Sequence, residues 1–420
     1  MDSMHSRCYL TLALFGSAVT LFGCGGDSKR SEGGAAGNAG SSGTSSSRGT
    51  GGARATGGTQ PGGGGNNAAG RSVGAGGNVE TGGGNTSAAG ATSSGGAGGT
   101  ASGGAGGTAS VGGSGGAIAV SAGWNLVAID TPRRTYLDYV EVPASGTWKP
   151  ETDHFPALAT WENQTAYSAL RFQPYKPGDA LTPAQIMALL PVTRRASVSI
   201  SITDKPYQAP PAPADATSAI QKALDDAAAM AKPASPVDVL VPTGTFAYSA
   251  ALRIGADVRL RRFPEDTGGA LHATNPANSA IHLAGDRSGA LFLELNFGAK
   301  SRDTTARASG IWVGNDDSNG AFVHDTLVIG NEVAQSASAH VFAAGEDGGT
   351  WAFNYAHDGY ADTFHHTGGS RYCQVVGNRA QTAAGRGDDL YAFVSYQGDG
   401  DVVHHCACIA NWGRDGAARG

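Results

Sequence analysis

From about residue 280 to residue 412 the apolar positions come in short runs, each closed by a Gly, Asp or Asn turn. One set of runs reads Ala280-Ile281-His282-Leu283, Gly310-Ile311-Trp312-Val313, His340-Val341-Phe342, Asp362-Thr363-Phe364-His365 and Leu390-Tyr391-Ala392-Phe393-Val394. A second set runs into Asn296, Asn331, Asn354, Asn378 and Asn411, which are 35, 23, 24 and 33 residues apart. A strand–turn unit repeating every 20–50 residues or so marks a solenoid. With two or more short strands per unit and no helical period, the pattern predicts an all-β chain folded as a parallel β-helix. Its coils would stack at about 4.8 Å, with like residues above like. Stacked Asn side chains would then hydrogen-bond along the axis as a ladder at a tight bend.

Upstream the period changes. Over residues 214–231, Ala219, Ile220, Ala223, Leu224, Ala227 and Met230 fall on one helical stripe. Asp215 or Ser218 can cap this helix, Ser218 and Gln221 have capping-box spacing, and Pro233 stops it. A strand and tight turn follow over 237–246, and residues 251–254 and 257–260 begin the coil pattern. The segment 118–205 is the least regular. Strands are expected over 118–129 and 196–202, a short helix opens at Thr182-Pro183 and runs through Leu190, and prolines break the middle into loops. Trp124, Trp148 and Trp161 either pack a small core or line a sugar platform.

Composition divides the 420 residues further. An apolar stretch over residues 9–22, short for a membrane span, reads as a signal peptide. It ends in Leu21-Phe22-Gly23-Cys24, which resembles the bacterial lipoprotein box. That resemblance implies cleavage before Cys24, lipid modification of Cys24, and an exported protein held at the outer membrane or cell surface by its lipid alone. From residue 25 to 116 Gly, Ala, Ser, Thr and Asn dominate; such a chain buries too little apolar area to order itself and is expected to be a disordered tether. The expected divisions are 1–23 signal peptide, 24–117 linker, 118–205 β-rich segment, 206–412 β-helix and 413–420 irregular tail. Net charge is −6 with no basic stripe, which argues against nucleic acid as a partner. Cys373, Cys406 and Cys408 are an odd set, expected as buried thiols in the coil interior; their spacing matches no zinc motif.

Two resemblances bear on function. Asp215-Ala-Thr-Ser-Ala-Ile-Gln-Lys-Ala-Leu, then Val241-Pro-Thr-Gly-Thr-Phe and Asp257-Val-Arg-Leu, resemble the N-terminal entry of the pectate lyase-like superfamily. The resemblance covers about residues 201–412. It implies a right-handed parallel β-helix whose open end is capped by the helix, and leaves the reaction open, because the fold carries hydrolases, lyases, epimerases and binding proteins. Gly359-Tyr360-Ala361-Asp362-Thr363-Phe364 and Gly387-Asp388-Asp389-Leu390 resemble the acid motifs of polygalacturonase-type glycoside hydrolases. That implies Asp388 or Asp389 as general acid, with Asp362 and the other activating water on a pectin-class polyuronate. Glycoside hydrolysis with inversion needs two carboxyl groups about 6.5–9.5 Å apart, and crowding is expected to raise the pKa of at least one. Arg386, Arg371 and His365 are the candidate substrate-binding residues.

The motif is incomplete. Tyr360-Ala361 replaces the family's Asn-Thr, and the Gly-His-Gly and Arg-x-Lys elements expected near residues 411–416 are missing. After Trp412 the chain is expected neither to continue the coil nor to cap it, which suggests a truncated or frameshifted product. Three classes stay open: a hydrolase without cofactor, a Ca²⁺-dependent polysaccharide lyase using Asp residues including Asp316 and Asp317, and a carbohydrate-binding or adhesion module. His365-His366 and His404-His405 are expected on strands, with the members of each pair on opposite faces.

Overall fold

The computed structural model describes residues 118–130, 134–145, 147–148, 170–314, 321–382, 386–395 and 402–415. Cys24, the signal peptide and the tether lie outside the described residues, as do Trp161, Asp316, Asp317 and positions 416–420.

The chain is a parallel β-helix with three sheets. The first has eight strands, starting with Val198–Ser201 and Val237–Val241 and ending with Gln374–Val376 and Ala407–Ile409. The second has seven, from Thr245–Tyr248 to Trp412–Arg414, and the third six, from Leu252–Ile254 to Tyr391–Phe393. The runs first recognised in the sequence all lie in the third sheet, one per coil, with Ile281, Ile311, Val341, Phe364 and Tyr391 in register. These side chains point inward. With Val239, Leu260, Val328, Trp351 and Val375 of the first sheet, the first four of them belong to the continuous buried core, and Tyr391 packs against it. Burying each such side chain contributes about 1.5–3 kcal/mol.

The bend between the first and second sheets is the most regular feature. Strand starts there are five residues apart in five coils: Gly289 and Glu294, Leu327 and Glu332, Thr350 and Tyr355, Gln374 and Arg379, Ala407 and Trp412. One residue at each bend takes the left-handed conformation: Phe292, Gly330, Phe353, Gly377 and Ala410. Large and small alternate for a steric reason. A Cβ on Gly330 would lie 2.7 Å from the Phe292 ring, and one on Gly377 2.7 Å from the Phe353 ring. The next residue is Asn in four of the five coils. Asn331 Nδ2 donates to Asn354 Oδ1 at 2.9 Å, Asn354 to Asn378 at 2.9 Å, and Asn378 to Asn411 at 3.0 Å. Asn296 is not a rung, contrary to the spacing argument. It sits at the end of a second-sheet strand opposite Ala334, and its Oδ1 accepts the Gly298 N–H. The ladder position in that coil is Leu293, whose N–H donates to Asn331 Oδ1 at 2.9 Å.

Among the described residues two α-helices complete the domain. Helix α1 (Pro183–Leu189) forms where expected and is opened by a Thr182–Gln185 capping box. Helix α2 (Thr217–Met230) buries Ile220, Ala223, Leu224 and Ala227 against the first coil and so closes that end of the core. Met230 leaves the stripe and is 47% exposed. Ser218 does not cap α2. Asp215 Oδ1 accepts the Thr217 N–H at 2.9 Å instead, and Gln221 bonds both backbone groups of Arg253, sealing the edge strand of the third sheet. The segment that was hardest to read is a second layer. Gly123–Asp130, flanked by antiparallel Thr135–Val142 and Leu170–Pro174, packs with α1 on the outer face of the first sheet. Leu126, Ala128, Leu137, Ile186 and Leu189 meet Leu291, Phe292, Ile329, Ala352 and Phe353 there. Trp124 stacks on Tyr139 at 4.6 Å and stays 36% exposed.

Candidate functional site

The corner between the second and third sheets gathers the candidate chemistry. Asp362 stands just before the strand Phe364–Thr367, and Asp388 and Asp389 just before Tyr391–Phe393, one coil on. The pairing of Phe364 with Tyr391 fixes the register. Thr363 N–H donates to Asp389 O at 2.8 Å and Asp388 N–H to Ala361 O at 3.2 Å. One oxygen of each carboxyl group lies within 4.8 Å of one from each of the others. That is closer than the about 6.5–9.5 Å expected for an acid and base with water between them.

Asp362 is the best-held member. Its Oδ2 accepts from His365 Nδ1, and its Oδ1 accepts the Asp389 N–H at 3.1 Å. Burial pushes its carboxyl up, but the hydrogen bond and charge of His365 and the Asp389 N–H outweigh burial, so the net shift is downward. Crowding was expected to raise a carboxyl here; for Asp362 the donors win. Asp388 Oδ2 takes the guanidinium of Arg302 at 3.0 Å. Arg302 was not foreseen. It reaches in from connection 297–310, the longest between the second and third sheets, and that length at this corner was the available signal.

The substrate-binding candidates separate. His365 joins the cluster through Asp362, with its ring 5.3 Å from that of Phe342 on the preceding coil. Arg386 lies at the same corner; it donates to Tyr360 Oη at 2.7 Å and its guanidinium sits 5.2 Å from the Tyr360 ring. Arg371 lies beyond the other end of the Phe364–Thr367 strand, paired with Asp347 at 3.0 Å and stacked over Phe322 at 4.3 Å. The β-alternation sends His366 inside the coil, fully buried, as expected for neighbours on a strand. His404 and His405 break that rule. They occupy the turn before Ala407–Ile409, His405 is left-handed, and their Nδ1 atoms are 2.7 Å apart. Of the three cysteines only Cys373 is buried; Cys406 is intermediate and Cys408 exposed.

The three aspartates offer six oxygens, the number a calcium ion needs at minimum. Both Asp362 oxygens already accept hydrogen bonds and Asp388 already faces a cation. The set therefore fits a calcium ion poorly. A recess of about 250 Å³ opens on the first coils, lined by Arg253, Asn278, His282, Arg307 and Trp312. His282 and Trp312, outward neighbours on the third sheet, stack there at 3.8 Å.

No protein-family profile matches this chain, and no curated protein matches it. Three solved structures do. A 1,3-alpha-1,4-beta-D-galactose-4-sulfate-3,6-anhydro-D-galactose-2-sulfate 4 galactohydrolase is 12% identical over 51% of this chain and 64% of its own, with a TM-score of 0.28. The catalytic unit of a thermostable GH87 alpha-1,3-glucanase from Streptomyces thermodiastaticus is 13% identical over 65% of this chain and 58% of its own, with a TM-score of 0.28. The Agl-KA catalytic domain is 12% identical over the same two shares, with a TM-score of 0.26. This chain thus spans about three fifths of the length of each solved chain, and likenesses of this size carry no activity across.

Proposed function

We propose that this protein is a polysaccharide-active β-helix protein that hydrolyses a glycosidic bond at Asp362, Asp388 and Asp389. The supporting observation is that the three carboxyl groups of one cluster are held by different partners. Asp362 is held ionised by His365 and the Asp389 N–H, while Asp388 is engaged by Arg302. Asp362 then acts as the carboxylate at the anomeric carbon. Asp389, next to it in register, gives the proton to the leaving oxygen as the C–O bond breaks. The close oxygen spacing favours direct attack by Asp362, giving a glycosyl ester. Water, deprotonated by the now ionised Asp389, cleaves that ester in a second step to release the sugar with retention and free Asp362. Arg386 beside the cluster and Arg253 and Arg307 in the recess suit an acidic sugar chain, since guanidinium groups pair carboxylates and sulfates well.

The test is release of reducing ends from a panel of acidic polysaccharides. Asp362→Asn and Asp389→Asn should each lower turnover by about 10²–10⁴-fold while the unfolding midpoint barely changes. Equal loss of stability in both variants would make these residues turn anchors and end the assignment. The poor fit of the three carboxylates to calcium argues against a Ca²⁺-dependent lyase, and the same assay separates the two. Lyase action predicts an unsaturated, ultraviolet-absorbing product whose formation stops in EGTA. Binding of one polysaccharide with neither product would leave a carbohydrate-binding module. A lipid on Cys24 would hold any of these at the cell surface; membrane fractionation of Cys24→Ser tests that separately.

A further inference from the structure

A second cluster lies inside the coil, at the bend leading from the third sheet to the first. Each coil there places one residue just before its first-sheet strand, after a left-handed residue: Thr326, Gly349, Cys373 and Cys406 follow Asp325, Gly348, Tyr372 and His405. The pairing of Leu327, Thr350, Gln374 and Ala407 stacks these positions along the axis. At the Gly349 step the column has no side chain of its own. Its space is taken by the carboxyl group of Glu346, whose Oε1 lies 1.8 Å from where a Cβ on residue 349 would be. The column therefore presents a hydroxyl, a carboxylate and two thiols in order. His366 faces it from the third sheet, held between Trp351 at 3.8 Å and Phe393 at 5.3 Å.

Glu346, His366 and Cys373 are each buried, and one donor atom of each lies within 4.8 Å of the others. His366 Nδ1 is 3.5 Å from Glu346 Oε2, and Cys373 Sγ is 3.6 Å from the same oxygen. Among the described residues neither ring nitrogen of the fully buried His366 has a hydrogen-bond partner. Burial ordinarily forbids that, because an unsatisfied buried polar group costs about 1–3 kcal/mol.

We propose that Glu346, His366 and Cys373, completed by Cys406, bind one thiophilic divalent ion of the zinc type inside the β-helix. The spacing fits. Ligand atoms at about 2.0–2.3 Å from zinc in a tetrahedron stand about 3.3–3.8 Å from one another, and the two separations to Glu346 Oε2 are 3.5 and 3.6 Å. Cys406 Sγ is within hydrogen-bonding reach of Cys373. The charge fits as well. A dication with one carboxylate, one thiolate and a neutral imidazole sums to zero, which avoids a net buried charge. The charge of Arg134 reaches both Glu346 and Cys406 and offsets a second thiolate. Thiolate with imidazole selects zinc over calcium or magnesium. Phe393, the outermost cover of His366, is 37% exposed, which gives an ion a way in from the last coil.

The experiment uses the reduced full chain with Cys8, Cys24 and Cys408 replaced by Ala, titrated with Co²⁺ as a spectroscopic substitute and then with Zn²⁺. One equivalent of Co²⁺ should bind with a thiolate-to-cobalt charge-transfer band, and Zn²⁺ should displace it and raise the melting temperature. Cys373→Ala should about halve the band, and replacing both Cys373 and Cys406 by Ala should remove it. Gly349→Ala, which changes no ligand, should push the Glu346 carboxyl aside and weaken binding roughly 10–100-fold, the effect of a disturbed supporting shell. His366→Phe keeps the ring stack and should weaken binding too. Absence of the band in the reduced parent protein overturns the proposal whatever the variants do. So does a band that survives replacement of both Cys373 and Cys406 by Ala in a folded protein.

Discussion

Asp362 and His365 are three residues apart across the start of one strand, and each fixes the other. The ring orients the carboxylate, and the carboxylate accounts for a buried imidazole on the outer face. His365→Phe would remove the donor and leave burial, which acts upward, less opposed. The Asp362 carboxyl should then titrate at higher pH, seen directly in a carbon NMR titration. If the protein is an active hydrolase, the acidic limb of its pH–rate profile should move up with it, because a carboxylate nucleophile that protonates at higher pH is lost at higher pH. An unmoved carboxyl would mean that the Asp389 N–H alone sets its state. This pair was half legible. The Asp residues stood out as strand openers one repeat apart, and the alternation rule separated His365 from His366. Arg302 was not legible, because it comes from three coils earlier and no local pattern links it to Asp388.

The repeating element is the bend, and its ladder makes a sharp comparison possible. Asn354 accepts from the backbone and side-chain nitrogens of Asn331 and donates to Val328 O and Asn378 Oδ1, all between 2.8 and 2.9 Å. Asn354→Ala leaves several of these groups buried without partners, so the loss of stability should be on the order of 3–5 kcal/mol. Asn296→Ala removes one local bond and should cost less than about 1 kcal/mol. Urea midpoints of the two variants check the difference; similar values would mean the ladder is not cooperative. The sequence pattern placed the asparagines in a ladder at a tight bend, which holds for Asn331, Asn354, Asn378 and Asn411. The strands just after them, such as Glu332–Ala334 and Arg379–Thr382, were missed, because each is only three or four residues long and follows the bend directly. Which asparagines are rungs depends on the left-handed residue before each, and Phe292 and Phe353 do not advertise that conformation.

At the scale of the whole molecule, acid should act through buried histidine. His340 is fully buried, donates from Nε2 to His357 O at 2.8 Å, and occupies the space a side chain on Gly359 would need. Burial pushes its pKa down to about 4, with the His357 charge acting the same way and Asp358 and the Asp362 backbone opposing. A histidine in the unfolded chain titrates near about 6.5. Between those values the unfolded state binds more protons, so stability from this group is complete above about pH 6.5 and falls away toward pH 4. The shift corresponds to roughly 3 kcal/mol. Urea unfolding from pH 7 down to 4 should show the decline, and His340→Gln should flatten it; an equal slope in both would place the acid sensitivity elsewhere. The architecture behind this was readable from periodicity alone. The outer layer over residues 123–190 was not, because its apolar residues answer to the outside of the first sheet, a surface that no repeat within the layer itself reveals.

The five-residue bend also separates what can vary from what cannot. Connections from the second sheet to the third, and from the third back to the first, differ in length from coil to coil, while from Gly289 onward the bend returns each of the last five coils to the same phase. A change in one loop is therefore not inherited by the next coil. The connection carrying Arg302 can lengthen, shorten or change its charges, and Asp362 will still lie opposite Asp389. In such a scaffold, choice of substrate and placement of the reacting groups can evolve, or be engineered, one at a time.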